Sequence, residues 1–474
     1  MGLPLNKTKI ICTIGPASES PLIMEKMIEA GMNVARLNFS HGSFDSHRKV
    51  IANLRKTARK TGKPLAIMAD LPGPKIRIGD LADEPVNLIS GAPFILTTEP
   101  VTGDSQQAEV TFERLPQVVS PGDSLFINDG IIQLEVLQIK GPAVHCRVIV
   151  GGELRSRKGL NLPGITLNIS AFTARDHECL KFAVEEGVDA VSQSFVETSA
   201  DIESVRSAAA SFGRIPFIIA KIERAGALDH IDEIISAADG IMVARGDLGV
   251  EVPIERIAVI QKDIIRRANQ AAKPVITATQ MLESMIESRR PTRAEATDVA
   301  NAVLDGTDAV MLSAESAMGR YPVEAVSMLA RIATAAEPHR HPLTIKEMLS
   351  GQDFERQFDP AHLIALSVEA CLKYTLPAAV FVPTHSGATA RSISRFRLPV
   401  WIAAVSSLES TCQGLLFSYG VYPVNEPDHP EDWKGYIREW LAEYGMEGTL
   451  VLLTEGPSSK HPKDNHRMEI IDLR

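Results

Sequence analysis

Charged residues that could carry out chemistry follow two consecutive apolar runs near the middle of the chain. Lys221 and Glu223 end the first run, two positions apart, and Gly246 and Asp247 follow the second run within Arg-Gly-Asp-Leu-Gly. Because alternate side chains of a strand share a face, Lys221 and Glu223 are expected on one side. Two carboxylates with room for substrate oxygens suit Mg²⁺, and a neighbouring ammonium can neutralise a phosphoryl or enolate oxygen. Lys-x-Glu alone is more typical of a surface salt bridge, but the two motifs together predict a functional site.

The elements that must position these residues alternate between strand-like and helix-like segments. With one interruption after residue 70, a helix-like segment follows each strand-like run, and eight such units in about 240 residues are typical of a (β/α)8 TIM barrel. A doubly wound open sheet is the alternative, but no Gly-x-Gly-x-x-Gly follows the first run. The strand-like runs are residues 9–15, 33–37, 65–70, 189–192, 216–220, 240–244, 274–278 and 308–312.

Two further regions depart from this pattern. Residues 71–171 lose the helical period and show short alternating runs between turn signals such as Pro-Gly-Asp and Asn-Asp-Gly, which predicts a small β-barrel inserted as a lid domain. Residues 341–474 open with a polar segment and then alternate helix and strand again, which predicts a separate C-terminal α/β domain. The catalytic barrel is therefore expected to comprise residues 1–70 and 172–340.

The bulk composition bounds the class of protein. A chain of 474 residues is expected to form about two to four domains, and 45% hydrophobic with 23% charged residues is typical of a soluble protein. The formal net charge of −10 argues against general binding to nucleic acid or to anionic membranes. The five cysteines include no Cys-x-x-Cys pair, and no run has the length of a signal peptide or a membrane span, so a cytoplasmic protein with reduced thiols is expected.

Polar residues at the ends of the strand-like runs are expected to meet at one mouth of the barrel, where chemistry in this fold gathers. A rim that mixes cations, carboxylates, hydroxyls and amides suits a phosphorylated, carboxylated small molecule held through a metal. Taken singly, Arg36 could be a barrel salt bridge, Asn38 and Ser40 turn residues, and Asp70 or Thr279 a cap. The rim residues are Arg36, Asn38, Ser40, Asp70, Ser194, Lys221, Glu223, Asp247, Thr279, Gln280, Ser313 and Glu315.

Six motifs, in order through the whole barrel, resemble those of the pyruvate kinase family, and MVARGDLG with TQMLESM is a highly specific pair. They are ICTIGPAS at 11–18, ARLNFSHG at 35–42, AKIERAG at 220–226, GIMVARGDLGVE at 240–251, ATQMLESM at 278–285 and PTRAEATDVANAVLDGTDAVMLSAES at 291–316. The resemblance implies a TIM barrel with an inserted β-barrel lid and a C-terminal effector domain. It also implies the glycolytic transfer of a phosphoryl group from phosphoenolpyruvate to ADP, and a homotetramer. The C-terminal match is weaker.

The resemblance further implies a role for each matching residue. Glu223 and Asp247 resemble the ligands of a bound Mg²⁺ (or Mn²⁺), Lys221 the lysine that stabilises the transferred phosphoryl group, and Arg36 the arginine that contacts that phosphate. The implied catalytic set is Lys221, Arg36 and Thr279. The implied substrate-binding set is Arg36, Ser194, Lys221, Gly246, Asp247 and Thr279, and the implied nucleotide-phosphate contacts are Arg77 and Lys158.

One departure from the family pattern concerns K⁺. Relatives that require K⁺ read DTKGPEIR where this chain reads DLPGPKIR, so Lys75 replaces a glutamate. In those relatives the residues at the positions of Asn38, Ser40 and Asp70 ligate K⁺. An ammonium brought near them could supply the same positive charge, which predicts activity without K⁺; the alternative is that Lys75 points to solvent. The sequence SAES at residues 313–316, in place of the more usual SGET, keeps the hydroxyl and the acid.

A second candidate site lies in the C-terminal region. THSGATAR follows a predicted strand and precedes a predicted helix, and free N–H groups at a helix start can bind an anion. The family places a phosphorylated effector in the matching loop, so a sugar phosphate is the expected ligand, with charge added by Arg391, Arg395 and Arg397. The alternative is a capped helix start without a ligand. The candidate effector residues are Thr384, Ser386, Gly387, Thr389 and Arg391.

Two other functions compete with the kinase. A metal-dependent lyase of the enolate type could use Glu223 and Asp247 on the same barrel, but it would not need a nucleotide lid, and the insert of about 100 residues speaks against it. A catalytically inactive sensor could bind the effector alone, but the intact set at the barrel mouth speaks against that. Nucleotide binding would separate kinase from lyase, and turnover would separate both from the sensor.

Overall fold

The computed structural model describes residues 2–165, 167, 169–340, 360–428, 430–456 and 465–474. The polar segment predicted as a linker lies largely outside these described residues. None of the described helices combines the length and the apolarity that crossing a bilayer requires.

The chain begins with three parallel strands and the two helices between them. Ser20 caps the first helix by accepting a hydrogen bond from the Ile23 N–H, with Pro21 as the first helical residue, and Gly31 ends that helix at a φ of 123°. The elements are β1 (Lys9–Thr13), α1 (Pro21–Ala30), β2 (Val34–Asn38), α2 (Phe44–Thr61) and β3 (Ala66–Leu71).

The insert follows β3 and is almost entirely β-structure, as the sequence predicts. In the described residues its strands form a six-stranded sheet of order β11-β7-β8-β9-β5-β6 and a separate two-stranded sheet of β10 and β4, rather than one closed ring. Both sheets contribute to a single core that includes Phe94 and Leu134. The elements are β4 (Val86–Leu88), β5 (Pro93–Thr97), β6 (Gln107–Glu109), α3 (Leu115–Val118), β7 (Ser124–Ile127), β8 (Ile132–Lys140), β9 (Ala143–Val150), β10 (Gly152–Leu154) and β11 (Leu160–Asn161).

The barrel resumes with α4, which starts at the predicted cap Thr173, whose hydroxyl forms a reciprocal capping box with Asp176. Five more strands complete a closed parallel barrel of order β1-β16-β15-β14-β13-β12-β3-β2, so the TIM barrel is confirmed and the open sheet is not what forms. The elements are α4 (Ala174–Glu185), β12 (Ala190–Gln193), α5 (Ser199–Ser211), β13 (Phe217–Ile222), α6 (Ile231–Ala237), β14 (Gly240–Ala244), α7 (Arg245–Glu251), α8 (Ile257–Gln270), β15 (Val275–Ala278), α9 (Arg293–Asp305), β16 (Ala309–Leu312), α10 (Ala314–Ala317) and α11 (Pro322–Ala336).

The C-terminal region folds as a separate α/β unit, which confirms that part of the expected fold class. Its five-stranded sheet has the order β19-β18-β17-β20-β21 and is parallel except for β21, which runs antiparallel to β20. The elements are α12 (Pro360–Leu372), β17 (Ala379–Pro383), α13 (Ala388–Ser394), β18 (Trp401–Ser406), α14 (Glu409–Leu415), β19 (Val421–Asn425), α15 (Trp433–Glu443), β20 (Leu450–Glu455) and β21 (Arg467–Asp472).

Candidate active site

A buried carboxylate near the end of β3 gathers two cations and a hydroxyl from three other strands. Asp70 accepts hydrogen bonds from Arg36 Nε at 3.1 Å and from Ser192 Oγ at 2.6 Å, and it lies 3.3 Å from Lys221 Nζ. Burial opposes ionisation of Asp70, but the charges of Lys221 and Arg36 lower its pKa to about 2. Asp70 is therefore an anion that orients both cations, rather than a simple cap.

Lys221 connects the Asp70 carboxylate to Glu223, which follows the end of β13. Its ammonium is 2.8 Å from Glu223 Oε1 and donates to Ser194 Oγ at 2.7 Å, so the prediction that Lys221 and Glu223 share one face is confirmed. Burial alone would lower the pKa of Lys221, but the carboxylates of Asp70 and Glu223 raise it well above its usual range. Lys221 thus keeps its positive charge although its side chain is only 11% exposed.

Glu223 lies one residue beyond β13, and a neighbouring loop fixes its second oxygen. Oε2 accepts the Phe195 N–H at 2.7 Å, and Phe195 holds this position with a φ of +58°. Burial raises the pKa of Glu223, Lys221 counteracts that rise, and the negative charge of Asp247 adds to it. Two carboxylates close enough for the charge of one to act on the other are a suitable donor set for a divalent cation. No cluster of three or more metal-binding side chains occurs among the residues that the structure describes.

The segment after β15 brings Thr279 to the same mouth. Thr279 Oγ1 accepts the Gly246 N–H at 2.8 Å and donates to the Ala278 carbonyl at 2.6 Å. Thr279 and Gln280 both have positive φ, +65° and +53°, and no helix starts there; the next helical turn is Glu283–Ile286. The alternative that Thr279 only caps a helix at residue 280 is therefore wrong.

Arg245 holds this unusual backbone in place. Its guanidinium donates to the Ala278 carbonyl at 3.2 Å and to the Thr279 carbonyl at 2.8 Å, and it forms an ion pair of 2.7 Å with Asp298. The arginine of the Arg-Gly-Asp motif therefore supports the Thr279 turn from α7.

The side chains at the end of β2 and just after it have different environments. Arg36 donates to Thr13 Oγ1 at 2.8 Å as well as to Asp70. Part of its guanidinium therefore forms a salt bridge within the barrel, which is the alternative that the sequence offered to a phosphate contact. Asn38 Oδ1 accepts the Ser40 N–H at 3.1 Å, which is a turn interaction, and Ser40 is exposed. Asn38 lies opposite Asp70 in the pairing of β2 with β3, but within the described part of the chain no side-chain hydrogen bond joins Asn38 or Ser40 to Asp70.

Lys75 is not brought to these residues. It is exposed, and its Cε lies beside Gly159 of the insert, 3.4 Å from where a Cβ would stand on that glycine. Among the described residues, no hydrogen bond or ion pair joins Lys75 to Asn38, Ser40 or Asp70. The structure thus matches the alternative in which Lys75 points to solvent.

The two predicted nucleotide contacts lie next to each other. Arg77 forms an antiparallel bridge with Gly159, and the Ile78 N–H donates to the Lys158 carbonyl at 2.9 Å. Arg77 also donates to the Arg157 carbonyl at 3.0 Å. Residues 80 positions apart in sequence therefore form one basic edge where the insert joins the barrel.

The residues of the candidate effector loop form hydrogen bonds with one another. Gly387, at a φ of +78°, donates its N–H to Thr384 Oγ1 at 2.9 Å, and Arg391 donates to the Ser386 carbonyl at 2.9 Å. Thr389 is partly buried in the same turn. The structure brings these five residues together, in the arrangement of a capped helix start.

The prediction that Arg395 and Arg397 add charge to the effector loop is wrong. Arg397 donates to both oxygens of Asp308 on the barrel, and Arg395 donates to the Gln270 carbonyl at 3.2 Å. Both side chains extend from the end of α13 toward the barrel floor, away from the loop, because a buried carboxylate and helix carbonyls lie there.

Sequence reasoning missed Thr13, Ser192, Phe195 and the side chain of Arg245. Ser192 lies on β12 and Ser194 one residue beyond its end, two positions apart, so the spacing used for Lys221 and Glu223 could have found Ser192. The roles of Phe195 and Arg245 depend on loop conformations that carry no such signal.

A closed parallel barrel with a charged cluster at the carboxyl ends of its strands is the arrangement of TIM-barrel enzymes, whose active sites lie at this mouth. Residues 5–326 match the model "Pyruvate kinase, barrel domain" and residues 362–471 match "Pyruvate kinase, alpha/beta domain". The chain is 49% identical to "Pyruvate kinase" of Thermococcus litoralis over 96% of each protein. It is also 42% identical to proteins of the same name from Sporosarcina psychrophila, over 95% of this chain and 78% of the relative, and from Geobacillus stearothermophilus, over 95% and 77%. The chain belongs to the pyruvate kinase family, which makes it a phosphotransferase.

Proposed function

We propose that this chain transfers the phosphoryl group of phosphoenolpyruvate to ADP, giving pyruvate and ATP in the last step of glycolysis. The observation that carries the proposal is the buried ammonium of Lys221, held between Asp70, Glu223 and Ser194 at the barrel mouth. Phosphoryl transfer depends mainly on positioning and on neutralising charge on the equatorial oxygens. A cation fixed on three sides provides both.

Lys221 and Arg36 are the proposed phosphate contacts. Asp70 bonds both cations, so their separation is set by one carboxylate and not by two flexible side chains. Lys221 contacts the phosphoryl group in transfer and then the enolate oxygen that remains on the product. Protonation of that enolate at carbon gives pyruvate. Ser194 contributes to the pocket by holding Lys221.

Glu223 and Asp247 are the proposed ligands of a divalent cation, Mg²⁺ or Mn²⁺. They fit because their mutual repulsion is relieved when a cation lies between them, and because Mg²⁺ binds through one or two carboxylates with substrate oxygens completing its shell. When bound, the cation would supply Lewis-acid neutralisation of substrate oxygens. The Phe195 N–H orients Glu223 for this task.

The substrate carboxylate is proposed to lie against Gly246, Asp247 and Thr279. The Gly246 N–H is bonded to the Thr279 hydroxyl, so binding of the carboxylate requires an exchange of that partner. The insert edge with Arg77 and Lys158 is proposed to contact the nucleotide phosphates. Closure of the insert would exclude water, which otherwise hydrolyses the phosphoryl donor.

The proposed domain boundaries are 1–70 with 172–340 for the barrel, 71–171 for the insert and 341–474 for the C-terminal domain; β3 extends one residue past the first boundary. We further propose a cytoplasmic homotetramer, regulated by a sugar phosphate at Thr384, Ser386, Gly387, Thr389 and Arg391. To bind the sugar phosphate, the Gly387 N–H would give up its hydrogen bond to Thr384 Oγ1 and donate to the phosphate instead.

Independence from K⁺ also stays a proposal. It requires the exposed Lys75 to move from Gly159 toward Asn38, Ser40 and Asp70 when the insert closes. The Lys75→Glu variant restores the residue of K⁺-requiring relatives and should make turnover dependent on K⁺. Equal activity of this variant and the unchanged enzyme in tetramethylammonium buffer would show that Lys75 does not replace the cation.

The experiment that tests the main proposal is pyruvate formation from phosphoenolpyruvate, ADP and Mg²⁺, with and without K⁺, and with a panel of sugar phosphates. Turnover without K⁺ would support both the kinase and the Lys75 argument, and turnover only with K⁺ would keep the kinase alone. Absence of turnover by folded protein would favour the sensor or the lyase. Activation by a sugar phosphate that is lost in Thr384→Val would support the effector site.

A further inference from the structure

A small cavity lies between the floor of the barrel and the C-terminal domain, on the side opposite the active site. It is lined by Lys273 and Asp308 from the barrel and by Arg391, Arg395, Arg397 and Ser418 from the C-terminal domain. The cavity is partly open to solvent, and its volume, about 10 Å³, is at the lower limit for one water molecule, so an ion larger than water requires the lining side chains to move slightly apart. Four cations and one carboxylate therefore surround a space large enough for a single small species.

The one carboxylate is already saturated. Asp308 Oδ1 accepts from Arg397 at 2.6 Å and from the Tyr419 N–H at 2.9 Å, and Oδ2 accepts from Arg397 at 2.7 Å and from the Val275 N–H at 3.0 Å. These four bonds use the acceptor capacity of a carboxylate. Asp308 thus balances Arg397. The charge of Asp239 acts on Lys273 and Arg391, whereas no carboxylate acts on Arg395.

Arg395 is the clearest uncompensated charge. Only 6% of the residue is exposed, and its Nε–H has no hydrogen-bond partner. Burial lowers the pKa of Arg395 to about 10, and no carboxylate raises it. Buried charges in proteins are normally paired, because an unpaired one costs several kcal/mol.

Two more donors face the same space without a partner. Ser418, 1% exposed, has an unbonded hydroxyl, and Arg397 Nε–H is also unsatisfied. Lys273 donates to the Ser236 and Ala238 carbonyls; burial lowers its pKa, Asp239 acts to raise it, and Arg391 and Arg206 lower it further. The cavity therefore combines positive charge with donors that have no hydrogen-bond partner, and its one carboxylate is fully bonded.

We propose that this cavity binds one halide-sized inorganic anion, chloride in the cell, held by Arg395 Nε, Arg397 Nε and the Ser418 hydroxyl. The anion completes the charge balance where the two domains meet. Arg391 lines the cavity and also belongs to the candidate effector loop, but the three proposed ligands of the anion are not among the effector-loop residues.

Thermal unfolding tests the proposal in sodium gluconate and sodium chloride at equal ionic strength, which keeps general screening constant. Chloride at ten times its dissociation constant should raise the melting temperature of the unchanged protein by about 1–2 °C. Arg395→Met should lose that rise, while Arg331→Met, on an exposed arginine of α11, should keep it. An equal rise in both variants would overturn the proposal.

A bromide soak of crystals supplies a second readout that does not depend on how stable a variant is. An anomalous peak within hydrogen-bond distance of Arg395 Nε and Ser418 Oγ, absent in Ser418→Val, is the expected result. A water molecule in that position at saturating bromide would refute the site. Thr384→Val should leave the peak unchanged, because its hydroxyl belongs to the effector loop.

Discussion

At the residue scale, the barrel mouth is organised by one carboxylate and one amine. Asp70 holds Arg36 and Lys221, and Lys221 in turn neutralises Glu223. The charges of Lys221 and Arg36 outweigh the cost of burying Asp70 and hold its pKa at about 2, whereas burial and the charge of Asp247 keep the pKa of Glu223 above its usual value. The chemistry therefore depends on the cluster as a unit, and removing one member should affect the others.

Replacement of Lys221 by methionine keeps the length of the side chain and removes the charge. We expect kcat to fall by about 10²–10³, because a preorganised cation at the developing charge is lost. Steady-state pyruvate formation at saturating phosphoenolpyruvate measures this, and Lys181→Met, on an exposed lysine of α4, is the matched control. A Lys221→Met enzyme with kcat within a factor of two of the unchanged enzyme would contradict the role.

At the element scale, the segment after β15 is held in a conformation that its own residues do not favour. Thr279 and Gln280 both adopt positive φ, which is uncommon for residues with a side chain and unusual for a β-branched one. Arg245, at the start of α7, donates to the carbonyl of Ala278, which precedes the turn, and to the carbonyl of Thr279, which lies in it. The first residue of α7 thus fixes the backbone at the end of β15. These hydrogen bonds offset the conformational free energy that the two positive φ angles cost.

Thr279→Val should test what the turn contributes. The substitution preserves the β-branched shape and removes the hydroxyl that, once the Gly246 N–H has turned to the substrate carboxylate, would donate to that carboxylate instead of to the Ala278 carbonyl. A hydrogen bond is worth about 0.5–1.5 kcal/mol, so we expect KM for phosphoenolpyruvate to rise roughly 3- to 10-fold, with a smaller change in the KM for ADP. Thr279→Ser, which keeps the hydroxyl, should stay within about twofold of the unchanged enzyme. Equal KM values for the valine and serine variants would mean that the hydroxyl plays no part.

At the scale of the whole molecule, the C-terminal domain is joined to the barrel floor by buried charge. The Arg397 and Asp308 side chains are 2% and 4% exposed. Breaking a buried pair costs about 3–5 kcal/mol because one charge stays uncompensated. Asp308→Asn should therefore lower the urea concentration at which the two domains separate, followed by fluorescence of Trp401 on β18. Asp263→Asn, which removes an exposed partner of Arg266, should change stability by less than about 1 kcal/mol. A similar loss in both variants would argue against a special role of the interface.

The parts of the fold that could be predicted from the sequence are those set by local patterns. Apolar runs and their flanking glycines placed the eight barrel strands within about two residues, and i, i+2 spacing placed Lys221 beside Glu223. Contacts made by barrel closure are different: Asp70 and Lys221 are 151 positions apart, and no local pattern reports their bond. The direction of Arg395 and Arg397 depends on how two domains dock, which is why they were assigned to the wrong site.

The same domain junction contains Lys9, the first residue of β1. Its Nζ donates to the Val421 carbonyl at 2.6 Å and lies 5.3 Å from the centre of the Trp401 ring. Burial lowers the pKa of Lys9 to about 7, although Glu337 and Asp308 act to raise it. In the unfolded chain the pKa of a lysine is about 10.4. Between these values the unfolded chain binds a proton that the folded one lacks, so this residue makes stability rise with pH.

The Lys9→Met variant should reveal this dependence by difference. The unfolding free energy of the unchanged protein, relative to Lys9→Met, should increase from pH 7 to pH 10, with a slope of up to about 1.4 kcal/mol per pH unit. Below pH 7 the buried ammonium of Lys9 lowers the unfolding free energy of the unchanged protein, so the Lys9→Met variant should be the more stable protein there. Urea unfolding at several pH values measures the difference, in which groups common to both proteins cancel. A difference that does not change with pH would show that Lys9 stays charged in the folded state, with Val421 and Trp401 as sufficient partners.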